Sequence, residues 1–497
     1  MQTSTRGGAR RWCGVWLGLA FSLWVWPAVA QADLAWSACW LPGVERAARC
    51  GVLTRPLDPA APQGRTVTLH LAMLPARSRR PAADPVVFFA GGPGQSAIDL
   101  AGPLHTWLAP VLAQRDVLLI DQRGTGRSAP LRCEEDDPTP RTLAAQLQPP
   151  SNAMAQRCLA RLQALPHGDV RQYTTSIAMA DVDAVRAALG VERWNLIGVS
   201  YGSRAALEFL RQQPQRVRRV VLDGVVPPDV NVPLSAAQAS QRALEGMFAG
   251  CEADAACARQ YPQLRRQWRQ LQSGLPREVT VPHPVSGQPE RFTLTHEVLA
   301  ALVHAPLYAP FLAAGLPLAI DAAAAGRFTP LVGLAAALGQ AQSRLASGMH
   351  FSVLCSEDGP ALWQAPAASG AQALVAPYRD ICRRWPRGPV PEAFYRVGPV
   401  PVATLLMSGE WDPVTPPSQA QRLQTQLGTR AQSLVMPGQG HGQLSQGCVG
   451  ELVARFLDAP NDEAAQAVVQ QGAPRCTRAR PRPLAVLPLE PASGGSR

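Results

Sequence analysis

Six short apolar runs, each closing on a polar, glycine-bearing loop, limit the possible folds of this chain more than any other feature. They lie in "PVVFFAGGPG", "DVLLIDQRGTGRS", "WNLIGVSYG", "VRRVVLDG", "VPVATLLMSGEWDPVTP" and "AQSLVMPGQGHG". A strand with one wet face alternates apolar and polar residues, whereas a strand covered on both faces has no need to. These runs therefore predict parallel strands lying between two layers of helix. Helical segments follow in the right places. One spans 176–189, with Ser176 as N-cap and Gly190 as stop; another starts after Ser200 and ends before Pro214. Two more cover 418–427, stopped by Gly428, and 449–457. The repeated strand–helix order predicts an α/β fold with a doubly wound, mostly parallel sheet. An earlier strand, "TVTLHLAML" from Thr66, alternates as a half-exposed strand would.

The texture changes near Val230. Segments such as "AAQASQRALEGMF" and "HEVLAALVHAPL" have helical spacing, and the strand–helix alternation returns only near Val402. The chain thus divides into an N-terminal core part (33–230), an inserted helical lid (231–395), a C-terminal core part (396–475) and a Pro/Arg-rich tail (476–497) that reads as mobile. Residues 1–30 read as an export signal. Arginines through Arg11 precede an apolar run at 12–26, and Ala28-Val29-Ala30 or Ala30-Gln31-Ala32 supplies the small-x-small cleavage site. The run is short for a membrane span, and no later stretch offers an uninterrupted one.

Cysteine usage agrees with a periplasmic or secreted location. Cys13 leaves with the leader, and ten cysteines remain as sequence-adjacent couples: Cys39/Cys50, Cys133/Cys158, Cys251/Cys257, Cys355/Cys382 and Cys448/Cys476. An even count in an oxidising compartment predicts disulfides but leaves the pairing open. No pair of C-x-x-C knuckles occurs, so no metal site is expected. The net charge of +11 is spread through leader and tail with no basic, aromatic-laced stripe, which argues against nucleic acid as a partner. Every one of the basic residues besides histidine is arginine. That excludes a phosphate-loop lysine, a Schiff-base lysine and a serine–lysine pair.

The chemistry centres on Gly198-Val199-Ser200-Tyr201-Gly202, a G-x-S-x-G pattern placed between strand and helix. Small flanking residues allow a turn sharp enough to lift the Ser200 hydroxyl above the sheet edge as a nucleophile. In this arrangement the acid and then the histidine follow on later loops. His441, in "PGQGHG", suits the base, its glycines allowing a loose, exposed turn. Asp412 is the acid of choice, since Pro413 follows it and its side chain is short; Glu410 is the alternative. Asp121 also ends a strand but precedes the serine, and reads as a loop-tying residue. His283, His296, His304 and His350 fall in the insertion and read as surface or packing residues. Backbone N–H groups of Tyr201 and of Gly92, in "AGGPG", are the candidate oxyanion donors.

The chain resembles exported serine aminopeptidases of the α/β-hydrolase fold, of the prolyl and tripeptidyl aminopeptidase kind. The resemblance rests on "GGPG" at Gly91, "DQRGTGRS" at Asp121, "YTTSIAMADVDAVRAALG" at Tyr173, "GVSYGSR" at Gly198, "LDGVVPP" at Leu222, "GEWDPVTP" and the late "GHG". It departs at Ala90, where similar proteins often carry histidine before the oxyanion loop. What it implies is an α/β-hydrolase fold and release of single residues, dipeptides or tripeptides from peptides with a free N-terminus. No metal or cofactor is implied, and Ser200, Asp412 and His441 act through an acyl-enzyme. The substrate ammonium calls for carboxylates, for which "CSEDG" offers Glu357 and Asp358. An esterase with the same triad is the alternative enzyme, and a noncatalytic binding protein the alternative of another class.

Overall fold

A computed structural model describes residues 34–136, 142–341, 345–364, 372–478 and 483–487. The expected export segment, 1–30, lies outside them. Eleven strands occur among these residues: β1 (Ser37–Cys39), β2 (Ala48–Pro56), β3 (Thr66–Leu74), β4 (Val86–Phe89), β5 (Val117–Ile120), β6 (Trp194–Val199), β7 (Val217–Asp223), β8 (Arg277–Pro282), β9 (Pro289–Leu294), β10 (Thr404–Gly409) and β11 (Ala431–Met436). Nine form one sheet in the order β1-β2-β3-β5-β4-β6-β7-β10-β11. The pairings from β5 through β11 are all parallel, and the three at the β1 side are antiparallel.

The unbroken apolar runs are the central strands. Every residue of β4, β5 and β10 is buried. Their side chains divide by the two-residue period of a strand between two apolar layers. Val87, Phe89, Leu118, Ile120, Leu196 and Leu406 face one layer, with Ala178, Val182, Ala205 and Phe209 of the helices Thr175–Ala188 and Tyr201–Gln212. Val86, Phe88, Val117, Leu119, Ile197 and Leu405 face the other, with Val453 and Phe456 of the helix Val449–Asp458.

Four differences from the sequence reading have physical causes. The hairpin partner β2 pairs antiparallel with β3 from Arg49↔Met73 to Pro56↔Thr66. Its arginines, glycine and proline hide the strand signal, as charged and irregular strands near a sheet edge commonly do. Ser176 does not cap: the helix begins at Thr175, and the Ser176 hydroxyl donates to Glu208 Oε1 at 2.7 Å. The insertion is not wholly helical, because β8 and β9 form a two-stranded hairpin inside it. The start of the tail also differs among the described residues. The helix Asp462–Thr477 carries Cys476 into the core, and residues 483–487 lie against the insertion. There the Val486 N–H donates to Ala314 O at 2.9 Å and the Tyr261 hydroxyl to Val486 O at 2.7 Å.

Among the described residues no helix is long and apolar enough to cross a membrane. The ten cysteines close as Cys39–Cys50, Cys133–Cys158, Cys251–Cys257, Cys355–Cys382 and Cys448–Cys476. Non-reducing peptide mapping of the oxidised protein should recover these five links; a crossed pair would contradict this chain path.

Candidate active site

Ser200 stands at the C-terminal end of β6 with φ 57° and ψ −125°. It is one of two non-glycine residues with positive φ among the described residues, the other being Ala129. Such a backbone costs about 1–3 kcal/mol and persists only when its surroundings hold it. Here the Ser200 N–H donates to Asp223 O at 2.8 Å, and the Ser200 carbonyl accepts from Ser203 N at 2.9 Å and Ser203 Oγ at 2.6 Å. At about 0.5–1.5 kcal/mol net each, three such bonds are enough to offset the strain.

The flanking glycines are dictated by close approach. A Cβ on Gly202 would lie 2.0 Å from Phe89 O, and one on Gly198 would lie 2.2 Å from Gly202 O. Ser200 occupies the N-cap position of the helix Tyr201–Gln212, yet its side chain makes no capping bond. Ser200 is partly exposed, and its hydroxyl is not consumed by the helix.

Asp412 follows β10, and its side chain is fully buried. Its Oδ1 accepts the N–H groups of Val414 and Thr415, both at 2.8 Å, in the local turn that a D-P-V-T sequence favours. Its Oδ2 accepts from the Thr415 hydroxyl at 2.7 Å and meets His441 Nδ1 at 2.7 Å. Glu410 turns elsewhere, to the Gly438 N–H at 2.9 Å. An ionised carboxylate can only accept, so His441 Nδ1 carries the proton and Nε2 is left as the basic nitrogen. Burial pulls the His441 pKa down, but the charge and hydrogen bond of Asp412, with Asp223 beyond, outweigh it and leave it above the ordinary imidazole value.

The loop carrying His441 is tight rather than loose and exposed, a further difference from the sequence reading. The His441 N–H donates to Tyr308 O of the insertion at 2.9 Å, and the two rings meet edge to face at 5.3 Å. A Cβ on Gly440 would lie 2.2 Å from Tyr308 O, so the glycine admits the insertion. The His441 side chain is only 10% exposed.

Asp223, absent from the sequence-based site, ties these parts together. Besides receiving the Ser200 N–H on its carbonyl, it accepts the N–H groups of Gln443 and Leu444 on Oδ2, at 2.6 and 2.8 Å. The next residue, Gly224, has φ +67°, and a Cβ there would lie 2.9 Å from His441 Cε1. The Ser200 corner and the His441 loop are thus laced to the same two residues. Burial raises the Asp223 carboxyl to about 6 against its two N–H donors. The only sequence signal was a carboxylate closing the apolar run "VVLDG".

The loop after β4 lies against the serine: a Cβ on Gly91 would come within 3.2 Å of Ser200 Cβ. Within the loop, Gln95 Oε1 takes the Gly91 N–H at 3.1 Å, whereas the Gly92 N–H makes no hydrogen bond among the described residues. Tyr201, as the first residue of its helix, has no intrahelical acceptor for its N–H. Both candidate donors are therefore chemically available.

Glu357 and Asp358 close the helix Ser347–Glu357 and are buried against Arg204, a partner the sequence did not announce. Arg204 Nη1 donates to Glu357 Oε2 at 3.3 Å and to Asp358 Oδ1 at 3.0 Å. The Thr175 and Val232 N–H groups complete the pair at 2.8 and 3.2 Å. Burial raises both carboxyls against the pull of Arg204, Glu357 to about 7. No group of three or more His, Cys, Asp or Glu side chains able to hold a metal occurs among the described residues.

Residues 84–447 match a family model described as alpha/beta hydrolase fold. A tripeptidyl aminopeptidase of Streptomyces coelicolor is 33% identical over 221 residues, 40% of this chain and 39% of that protein. The serine protease Hip1 of Mycobacterium tuberculosis is 31% identical over 228 residues, 42% of each chain. A proline iminopeptidase of Neisseria meningitidis is 29% identical over 148 residues, 30% of this chain and 34% of that protein. Each match covers less than half of the relative's length.

Two expected outcomes follow from this geometry. Replacing Arg204 by Met leaves two buried carboxylates without their cation, and should cost about 3–5 kcal/mol in denaturant unfolding. The sign of its pH dependence is fixed: folding raises Glu357 from 4.5 to about 7, so folded Glu357 binds a proton that the unfolded chain releases. The stability lost to its ionisation grows as pH rises from 4.5 through 7, and should grow further in the variant.

Proposed function

The chain belongs to the α/β-hydrolase fold family, and from that footing we propose that it is an exported serine exopeptidase acting on peptides with a free N-terminus. The observation that carries this reading is the 2.7 Å contact between His441 Nδ1 and Asp412 Oδ2, with Ser200 held at its strained corner across Asp223–Gly224.

In this mechanism Ser200 Oγ attacks the scissile carbonyl carbon while its proton passes to His441 Nε2. The N–H groups of Gly92 and Tyr201 receive the developing oxyanion. Asp412 stabilises the imidazolium, which then protonates the departing amine as the C–N bond breaks and leaves the acyl group on Ser200. Water, deprotonated by His441, attacks the ester and regenerates the serine. Glu357 and Asp358, paired with Arg204 on the helix that follows Ser200, are the carboxylates proposed to attract the substrate ammonium. The names of the relatives support peptides as the substrate class. Five disulfides support a periplasmic or secreted location after removal of a leader at 1–30.

The test is hydrolysis of aminoacyl-, dipeptidyl- and tripeptidyl-arylamides, each with a free and an acetylated N-terminus, beside short acyl esters. Free-amine arylamides should be cleaved at least about 100-fold faster than their acetylated counterparts, an ion-pair loss of about 3 kcal/mol. Ser200→Ala should abolish cleavage, and Asp412→Asn should lower kcat by on the order of 10³–10⁴. Cleavage of acyl esters alone, or of blocked peptides at internal bonds, would overturn the exopeptidase reading. His441 works as a base only when neutral, and its pKa is raised. The acid limb of kcat/KM should therefore have its midpoint above 6.5, and a midpoint below that value would contradict the assigned base.

A further inference from the structure

We propose that His350, on the insertion, is a positioning residue that holds the Pro93 carbonyl and thereby keeps the Gly92 N–H aimed at the reacting carbonyl. The inference rests on the serine-hydrolase reading above.

The loop 91–95 has little of its own to hold it. Its internal bonds are the Gly91 N–H to Gln95 Oε1 at 3.1 Å and a long Gln95 N–H to Gly91 O contact at 3.4 Å. Gly92 has φ +107° and Gly94 φ +108°, Pro93 has no N–H to give, and Ala90 brings no polar side chain. Freedom of this kind is a liability where a donor must be aimed in advance.

The insertion supplies the missing contacts. The Ala346 N–H donates to Gly94 O at 2.9 Å, Gln95 and Leu345 form an antiparallel bridge, and His350 Nδ1 lies 3.1 Å from Pro93 O. Leu345 Cδ2 sits 2.9 Å from where a Gly92 Cβ would be, and Ala346 O lies 2.8 Å from a Gly94 Cβ. The successive carbonyls of Pro93 and Gly94 are both satisfied by residues some 250 positions away in the chain. Their anchor is itself fixed to the core. The Ser347 N–H and hydroxyl donate to Asp136 at 2.8 and 2.5 Å, and the Gly348 N–H to Leu131 O at 2.9 Å.

The chemistry of the imidazole is determined by its neighbours. Pro93 O can only accept, so His350 Nδ1 carries the proton. Nε2 is then an acceptor and receives the Tyr378 hydroxyl at 3.1 Å. Phe351 and Tyr378 pack against the ring, with centroids 5.8 and 5.7 Å away. Burial pushes the ring down to about 4, which favours the neutral form near neutral pH.

The experiment compares His350→Asn, His350→Gln and His350→Phe with the wild type on a p-nitrophenyl ester and a free-amine peptidyl arylamide, with a peptide boronic acid as transition-state mimic. Asn offers an amide N–H about where Nδ1 sits, whereas Gln offers one about where Nε2 sits and Phe offers none. His350→Asn should stay within about threefold of wild type. The Gln and Phe variants should lose about 10- to 100-fold in kcat, with KM within threefold, because a misaimed oxyanion donor is missed in the transition state and not in the ground state. The boronate inhibition constant should rise in parallel with the loss in kcat. Equal rates in all four proteins, equal losses in all three variants, or a loss confined to KM would overturn the proposal. If Phe does not fold, the Asn and Gln comparison decides alone. Failure of the arylamide with ester turnover intact would fault the exopeptidase reading and leave this test standing; a wild type inactive on both would sink both.

Discussion

The end of β7 is the point on which the rest of the site depends. There one residue, Asp223, uses its main-chain carbonyl to hold the strained Ser200 corner and its carboxylate to hold the backbone of the His441 loop. The two arrangements constrain each other because strand β7 runs between β6 and β10 in a continuous parallel ladder. A carboxylate buried at such a junction is costly by desolvation, which is why its pKa climbs to about 6. It is kept by two backbone donors that would otherwise be unsatisfied. Asp412 solves a similar problem by closing its own turn with two N–H groups and a threonine hydroxyl before it meets the imidazole.

The insertion is part of the same frame. Tyr308 receives the His441 N–H, Glu357 and Asp358 pair with Arg204 on the helix that starts after Ser200, and Trp411, beside Asp412, packs on Gly246 so closely that a Cβ there would lie 1.8 Å from its ring. From Leu34 on, insertion and sheet form one compact unit. A buried ion pair adds little net stability over an apolar replacement, but losing one partner is strongly destabilising, so Arg204 and the two carboxylates depend on each other.

How much of this was legible in the sequence depends on how local the cause is. The central strands were readable because double-sided burial writes itself as an unbroken apolar run, as in "VVFF" and "VLLI". The strand-to-helix corner was readable because both glycines answer to steric demands within a few residues of the serine or at the strand beside it. Asp412 could be favoured over Glu410 because its turn is closed by its immediate successors. By contrast, β2 is held by pairing with β3 and by its disulfide, neither of which leaves a periodic trace. The Asp223 carboxylate, Arg204 and His350 meet partners between about 150 and 260 positions away, and a single sequence carries no mark of such meetings. Gly440, just before His441, was visible, but its reason, the backbone of Tyr308, was not.

The central claim is that the hydroxyl of Ser200, alone among the serines, is made nucleophilic by the imidazole of His441. Treatment with a fluorophosphonate followed by peptide mass spectrometry reads this directly, whatever the natural substrate. The account predicts a single phosphonylated residue, Ser200, and loss of labelling on the time scale of the wild type when His441 is replaced by Ala. Labelling at another serine, or undiminished labelling of Ser200 without the imidazole, would contradict it.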